Sequence, residues 1–367
     1  MVRKVLRGFF VKIAKPFKAY SHTPGHKALL PGTSWYTRVY PAAFDLVCLD
    51  NREPLSFFWN IKGPVSAFTV EQEFMSSCVR VYGDSPNGYF RFRLSAEEDS
   101  IFLVVEKTPV EGLSFFTEEG TFLKNLLQGD RLSLVSGVSL SLNKDKEELF
   151  LGNNKKRDWD QIRKRKDLSE ILPLWHFLGQ DYSDSLESQE GPVVDLLKQV
   201  EKKIEVKDRS VFDAFLAIYL AGFSAGLVPR ACDEEKQGIV PLFPCLGEQK
   251  IPSFLGRGAS LIRFLFFKEK EDSFFVLPCL PTPCVFGKLL NLKTKNGCKV
   301  DLEWSKREMR NMRISSQNAK TLKLHFPSEV KEYRVRTSLK DKGYFIEKDE
   351  PLDINAGQTL FLDRFQK

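Results

Sequence analysis

The sequence predicts an α+β protein: an N-terminal antiparallel β-sandwich, a central reduced α-helical domain and a C-terminal small β-sandwich. Three observations carry this. Residues 28 to 150 hold short runs rich in aromatic and β-branched residues, separated by turn sequences such as PGT, SPNG and LQGD. Between 153 and 272 the apolar spacing changes to three and four, as on one face of a helix. After Ser273 strict alternation returns. A chain of 367 residues exceeds what one core usually serves, so parts at 1–152, 153–272 and 273–367 are expected.

In the first part, GYFRFRLS sets Phe90, Phe92 and Leu94 on one side and Tyr89, Arg91 and Arg93 on the other, a half-buried antiparallel strand. SIFLVVEK is a more continuous apolar run, as in a strand covered on both sides. In the second part Leu168, Ile171, Leu172, Trp175 and Leu178 share one helix face, which Pro173 is expected to kink or divide. VVDLLKQVEKKIE repeats the helical pattern, and SVFDAFLAIYLAGF is apolar all round, as a buried helix is. A further helix is expected over 258–270, GASLIRFLFFKEK. In the third part KTLKLHFP, VKEYRVR and QTLFLDRF alternate as strands.

The net charge of +7 is the difference between 55 basic and 48 acidic residues. So small an excess fits an ordinary surface with a slight basic bias. Seven cysteines include no C-x-x-C pair, and most lie beside apolar residues, so reduced thiols in a cytoplasmic protein are expected. No run of about 18 apolar residues is present, and a membrane span is not expected. The N-terminus sets Lys4, Arg7, Lys12, Lys15 and Lys18 around Val5, Phe9, Phe10 and Ile13; a peripheral membrane contact is one reading of it, an edge strand or docked helix the other.

The stretch LIRFLFFKEKEDSFFVLPCLPTPCVFGKLLNLKTKNGCKVDLEWSKREMRNMRISS resembles the barrel end and following β-module of family 95-type α-L-fucosidases and related helical-barrel glycoside hydrolases and phosphorylases. The likeness rests on Leu277, Pro278, Leu280 and Pro281, then Gly287, Gly297, Asp301, Leu302 and Trp304. It covers about 258–316 closely and extends loosely to 365. It implies a sandwich, a helical barrel and a closing β-module in that order, here with only a partial α/α barrel, since 155–270 has room for five or six helices. The family's general acid and its water-activating residues find no counterpart, so no catalytic residue is carried over.

Glycoside hydrolysis needs two carboxylates across a cleft. Asp158, Asp160, Asp167, Glu170, Asp184, Asp195, Asp213, Glu234 and Glu235 are the candidates in the helical part. Asp213 stands out beside the apolar run 212–220, where burial would make it a useful acid; the plainer reading is a helix N-terminal Asp. Trp175 and His176 offer a sugar-stacking platform with a polar handle, or a core Trp with a satisfied His. KKRDWDQIRKRK gathers Lys155, Lys156, Arg157, Arg163, Lys164, Arg165 and Lys166 as an anion-binding patch or the solvated face of a helix. GRGAS at 256–260 lacks the P-loop pattern and is explained by a helix N-cap at Ser253 or Ser260. His22 and His26 flank Pro24 and Gly25, so no helical metal face forms; no metal or cofactor is expected.

The resemblance implies a carbohydrate-associated protein that binds a glycan or another partner in the groove between sandwich and helices without catalysis. The alternatives are a diverged glycoside hydrolase with a rearranged carboxylate pair, and an interaction protein taking an anionic partner or nucleic acid on 155–166.

Overall fold

A computed structural model describes residues 17–51, 53–187, 189–240 and 250–367. The amphipathic N-terminal segment through residue 16 and Cys245 lie outside the described residues.

Twelve strands build the first part. They are β1 (Lys18–Ser21), β2 (His26–Leu29), β3 (Trp35–Val39), β4 (Ala43–Cys48), β5 (Pro54–Trp59), β6 (Ser66–Glu73), β7 (Cys78–Ser85), β8 (Gly88–Glu97), β9 (Ser100–Lys107), β10 (Leu113–Thr117), β11 (Phe122–Leu126) and β12 (Arg131–Ser136). They form two antiparallel sheets, ordered β1-β6-β7-β8-β9-β12 and β11-β10-β5-β4-β3-β2. Alternation decides which side chains face inward: Phe90, Phe92 and Leu94 of β8 are fully buried. They meet Phe44, Trp59 and Phe115 from the opposite sheet in one aromatic core, with Trp59 edge-on to Phe92 at 5.2 Å.

The next strand, β13 (Glu148–Phe150), ends the segment read as N-terminal sandwich, yet it pairs with a C-terminal strand. Helices α1 (Trp159–Arg165), α2 (Leu168–Gly179), α3 (Pro192–Glu205), α4 (Val211–Gly222) and α5 (Ser253–Phe266) follow. The last ten strands are β14 (Phe267–Lys270), β15 (Ser273–Val276), β16 (Phe286–Lys293), β17 (Cys298–Ser305), β18 (Glu308–Ser316), β19 (Lys320–His325), β20 (Glu332–Arg336), β21 (Tyr344–Glu347), β22 (Pro351–Ile354) and β23 (Thr359–Gln366). Their sheets run β13-β16-β17-β18-β23-β20-β21 and β14-β15-β19-β22. The architecture is α+β, with β-rich ends and a helical middle. Helices and C-terminal strands share one apolar core, which also takes Phe17, Leu29, Tyr36 and Phe74 from the first part.

Two elements depart from the sequence pattern. The helix expected over 258–270 starts at Ser253 and stops at Phe266, and Phe267–Lys270 turns back through Glu271 to pair with β15. Alternating Phe-Lys-Glu-Lys suits that strand, and the buried Phe267 ring packs on Phe274. Pro173 does not divide α2, which runs unbroken from Leu168 to Gly179. Almost every residue of that helix is buried, and this packing outweighs the one hydrogen bond a proline removes.

Gly256, expected before the helix, and Gly258, expected at its start, lie inside α5. Their lack of a side chain is required by close approach: a Cβ on Gly258 would stand 2.1 Å from the Trp175 ring, and one on Gly256 2.2 Å from the Ser183 carbonyl oxygen. These glycines seat α2 and the loop after it directly on α5. No serine caps α5, whose N-cap is Pro252.

His26 on β2 is buried with no hydrogen-bond partner for Nε2, and burial, only partly offset by Asp160 and Asp158, pushes its pKa down to about 4. Its folded-state pKa therefore lies below the ordinary value of 6.5. The associated stability is complete above pH 6.5 and is lost as pH falls toward 4, about 3 kcal/mol in all. Urea unfolding between pH 7 and 4 should show this decline, and His26→Leu should flatten it. An unchanged slope in that variant would reject the assignment.

Candidate functional site

The sandwich, the helices and the C-terminal sheet meet around residues 142–147, the segment that carries the chain from β12 to β13. Two clefts of about 490 and 370 Å³ open there, sharing Asn143, Asp145 and Lys293 in their walls. The larger is walled by Phe74 and Met75 of the sandwich, Phe177 of α2, and Asn291 and Lys299 of the C-terminal sheet. The smaller runs over His176, Gln180, Tyr182 and Asp184 toward Ala259, Ser260 and Arg263 of α5.

A buried polar frame holds the clefts. Gln180 treats Glu147 as a neighbouring strand would: its Oε1 accepts the Glu147 N–H at 2.7 Å and its Nε2 donates to the Glu147 carbonyl at 3.0 Å. The Glu147 side chain is thereby aimed between α2 and α5. One carboxylate oxygen accepts from Arg263 Nε at 3.0 Å, and the other stands 3.3 Å from His176 Nε2 without hydrogen-bond alignment. His176 Nδ1 lies 3.2 Å from the Ala259 carbonyl oxygen. Burial alone would raise the Glu147 pKa, but His176 and Arg263 outweigh it and hold the carboxyl below the usual range. Arg263 continues outward to the Lys293 carbonyl at 3.1 Å, which ties α5 to the C-terminal sheet.

A second buried pair, Lys146 in the wall of the larger cleft and Asp181 behind it, adds to the frame. Lys146 donates to Asp181 at 2.5 Å, and Asp181 also accepts the Asn143 N–H at 2.9 Å. Burial pushes the Asp181 carboxyl up and the Lys146 ammonium down, and their mutual attraction offsets part of each shift. Lys146 also lies 4.6 Å above the Phe177 ring.

The carboxylates at the clefts are engaged. Asp145 accepts from Lys293 at 2.6 Å, Asp184 from Ser260 at 2.9 Å, and Glu148 from Asn291 at 3.4 Å. Lys144, Lys293 and Lys299 are exposed at the rim with Met75 and Leu142.

The residues singled out by sequence fall in three places. Trp175 and His176 do not form a platform: Trp175 is fully buried edge-on to Phe215 and Phe223, with Nε1 donating to the Leu255 carbonyl at 3.2 Å. His176 is also buried, but its ring reaches the wall of the smaller cleft. Asp213 is exposed in the first turn of α4, where it answers the helix dipole, and the burial expected of it does not occur.

The other acidic candidates of the helical part serve structure. Asp158 caps α1 and Asp167 caps α2, Asp160 accepts from Ser21 and Thr23, and Asp195 is exposed at the start of α3. Glu170 is buried in a two-pronged pair with Arg165, Glu234 faces Lys27 at 3.8 Å, and Glu235 takes Arg163 and Arg230.

The basic run is dispersed. Lys155 pairs with Asp167, Lys156 lies over Tyr20, Arg157 is buried over Phe17, Arg163 and Arg165 are in the ion pairs just named, and Lys164 and Lys166 stay in solvent. A continuous anionic-partner face is not formed, because the run starts along the edge of β1 and then winds into a short helix.

Among the described residues no group of three or more His, Cys, Asp or Glu side chains could hold a metal ion. No cysteine among the described residues is in a disulfide, and no helix among them is long and apolar enough to cross a membrane. A scan against models of known protein families finds no match, and no curated protein matches the chain.

Proposed function

We propose that the protein binds an oligosaccharide in the cleft where its three parts meet, and that it does so without hydrolysing it. The observation that carries this reading is the engagement of every carboxylate in the cleft walls. A glycosidase needs one carboxylic acid that keeps its proton and a second carboxylate free to act as base or nucleophile. Here Glu147 is held in the opposite direction by Arg263 and His176. Asp181, whose carboxyl is pushed up, lies behind the cleft wall with both oxygens occupied. Asn143, Lys144 and Lys299 remain as amide and ammonium donors around an opening edged by Met75 and Leu142. That mixture of polar donors and apolar edge suits sugar hydroxyls and ring faces, and Lys144 and Lys299 favour an acidic saccharide. The order of sandwich, helices and closing β-module is the one implied by the likeness to helical-barrel glycoside hydrolases.

An acidic oligosaccharide such as a polygalacturonate fragment should raise the melting temperature. At roughly a hundredfold above Kd the stabilisation is about 2.7 kcal/mol. Lys144→Glu with Lys299→Glu should abolish the shift without altering the unliganded melting temperature. Indifference to both acidic and neutral oligosaccharides would end the binding reading; release of reducing ends would end the non-catalytic one.

A further inference from the structure

A third cavity, of about 410 Å³, lies among the turn that joins α3 to α4, the proline-rich turn after β15 and the hairpin between β17 and β18. It shares no wall residue with the two junction clefts. Its floor is apolar, made by Val211 at the start of α4 with Pro278, Cys279, Leu280 and Pro281. The other walls are Thr282 and four charged residues, Lys207, Asp208 and Arg209 from the first turn and Arg307 from the hairpin.

The charges do not cancel. Asp208 is already answered: its carboxylate accepts the Ser210 N–H at 2.8 Å, the Ser210 hydroxyl at 2.9 Å and Lys203 at 3.1 Å, and these bonds push its pKa down to about 2. No carboxylate among the described residues pairs with Lys207, Arg209 or Arg307. Arg307 makes one long contact, to the Leu280 carbonyl at 3.4 Å, which leans its guanidinium over the floor. Burial pushes the Cys279 thiol up, and Lys207 is close enough to act against it, which puts that ammonium near the same floor. Lys207 and Arg307 also hold left-handed backbone, at φ 55° and 65°, where glycine would be less strained. Cations thus stand at two turn positions that conformation alone would give to glycine.

Two arginines and a lysine around one apolar floor fit a ligand with more than one anionic group. Each guanidinium can grip a carboxylate or phosphate through two parallel hydrogen bonds, and the third charge favours a polyanion over a monoanion. The proline and leucine floor favours a carbon skeleton over a bare inorganic ion, and a volume near the small end of the ligand-pocket range suits a compact molecule.

We propose that this cavity binds a small organic polyanion, with two or more carboxylate or phosphate groups on a short carbon skeleton, held between Arg209, Arg307 and Lys207. The site is separate from the junction cleft and does not depend on the glycan reading. Citrate and fructose 1,6-bisphosphate represent the two sources of that charge. Calorimetry on the full chain at physiological ionic strength would compare both with acetate and inorganic phosphate. One of the two polyanions should bind at least about tenfold more tightly than either single anion.

Arg209→Glu with Arg307→Glu should remove that preference, and both side chains are exposed, so the variant is expected to fold. Lys144→Glu with Lys299→Glu at the junction cleft should leave it unchanged. Hydrogen exchange locates the ligand without any substitution: the bound polyanion should slow amide exchange in 207–211 and 279–282 and not in 142–147. No preference over the single anions, full binding by the Arg209→Glu, Arg307→Glu variant, or protection confined to 142–147 would each overturn the proposal.

Discussion

Glu147→Ala is expected to destabilise the protein by about 3–5 kcal/mol, among the largest effects of any single side chain outside the apolar core. The size follows from what is left behind. Glu147 sits between the Arg263 guanidinium and the His176 ring, and its removal strands an Arg in a largely buried position with no carboxylate on that side. Arg263 keeps Glu269 at 3.4 Å, which limits the loss without cancelling it. Glu147→Gln should fall between wild type and alanine, because the amide can still accept from Arg263.

The same residue sets an acid limit. Its folded-state pKa is below its unfolded one, so its contribution is complete above the ordinary carboxylate pKa and is lost as pH falls through the depressed value. This window lies below that of His26, and the two are separable by the pH at which each variant departs from wild type. Denaturant titrations at pH 7 and pH 3 give both readings. A loss under about 1 kcal/mol at pH 7 would mean that the triad behaves as a solvated surface pair.

That triad also shows why the site escaped the sequence while much of the fold did not. The sandwich strands were legible because alternation is local: Phe90, Phe92 and Leu94 are inward for a reason contained in eight letters. The packing role of Gly258 is hidden for the complementary reason. Its role is to admit Trp175, which lies 83 positions earlier, and nothing within GRGAS reports that neighbour. The strand β14 was hidden because Phe267 continues an apolar run that also suits a helix, and only pairing with β15 decides between them.

Glu147 and Arg263 are 116 residues apart, and each looks like an ordinary surface charge in its own segment. His176 alone gave a hint, as a polar residue inside the apolar run LPLWHFLG, and it does reach the cleft wall. Its partner in the expected platform, Trp175, is turned into the core by helix geometry, since consecutive residues point about 100° apart. Charge density in sequence says nothing about distant neighbours: three of the seven cations in the basic run, Lys156, Arg157 and Arg163, contact Tyr20, Phe17 and Glu235, which the sequence places elsewhere.

Trp304→Ala is the second large effect, about 3–5 kcal/mol by loss of a fully buried indole. The ring stacks on Phe266 at 5.1 Å, at the end of α5, and its Nε1 donates to the Cys284 carbonyl at 3.1 Å in the proline-rich turn. It therefore joins three elements: the last helix, the turn after it and β17. On the facing strand Gly287 is its register partner, and a Cβ there would stand 2.0 Å from the indole. The glycine is thus explained by the tryptophan, and this makes a sharper test than either substitution alone. Gly287→Ala in the natural chain should displace the ring and cost about 1–3 kcal/mol or more. In the Trp304→Ala background the added methyl enters the vacated space, so the same change should become neutral or stabilising. A double-mutant cycle on the denaturation midpoint reads the coupling directly, and close packing requires it to be large and of compensating sign. Additive losses would mean that the backbone relaxes to absorb the indole, and that Gly287 is there for the strand rather than for Trp304.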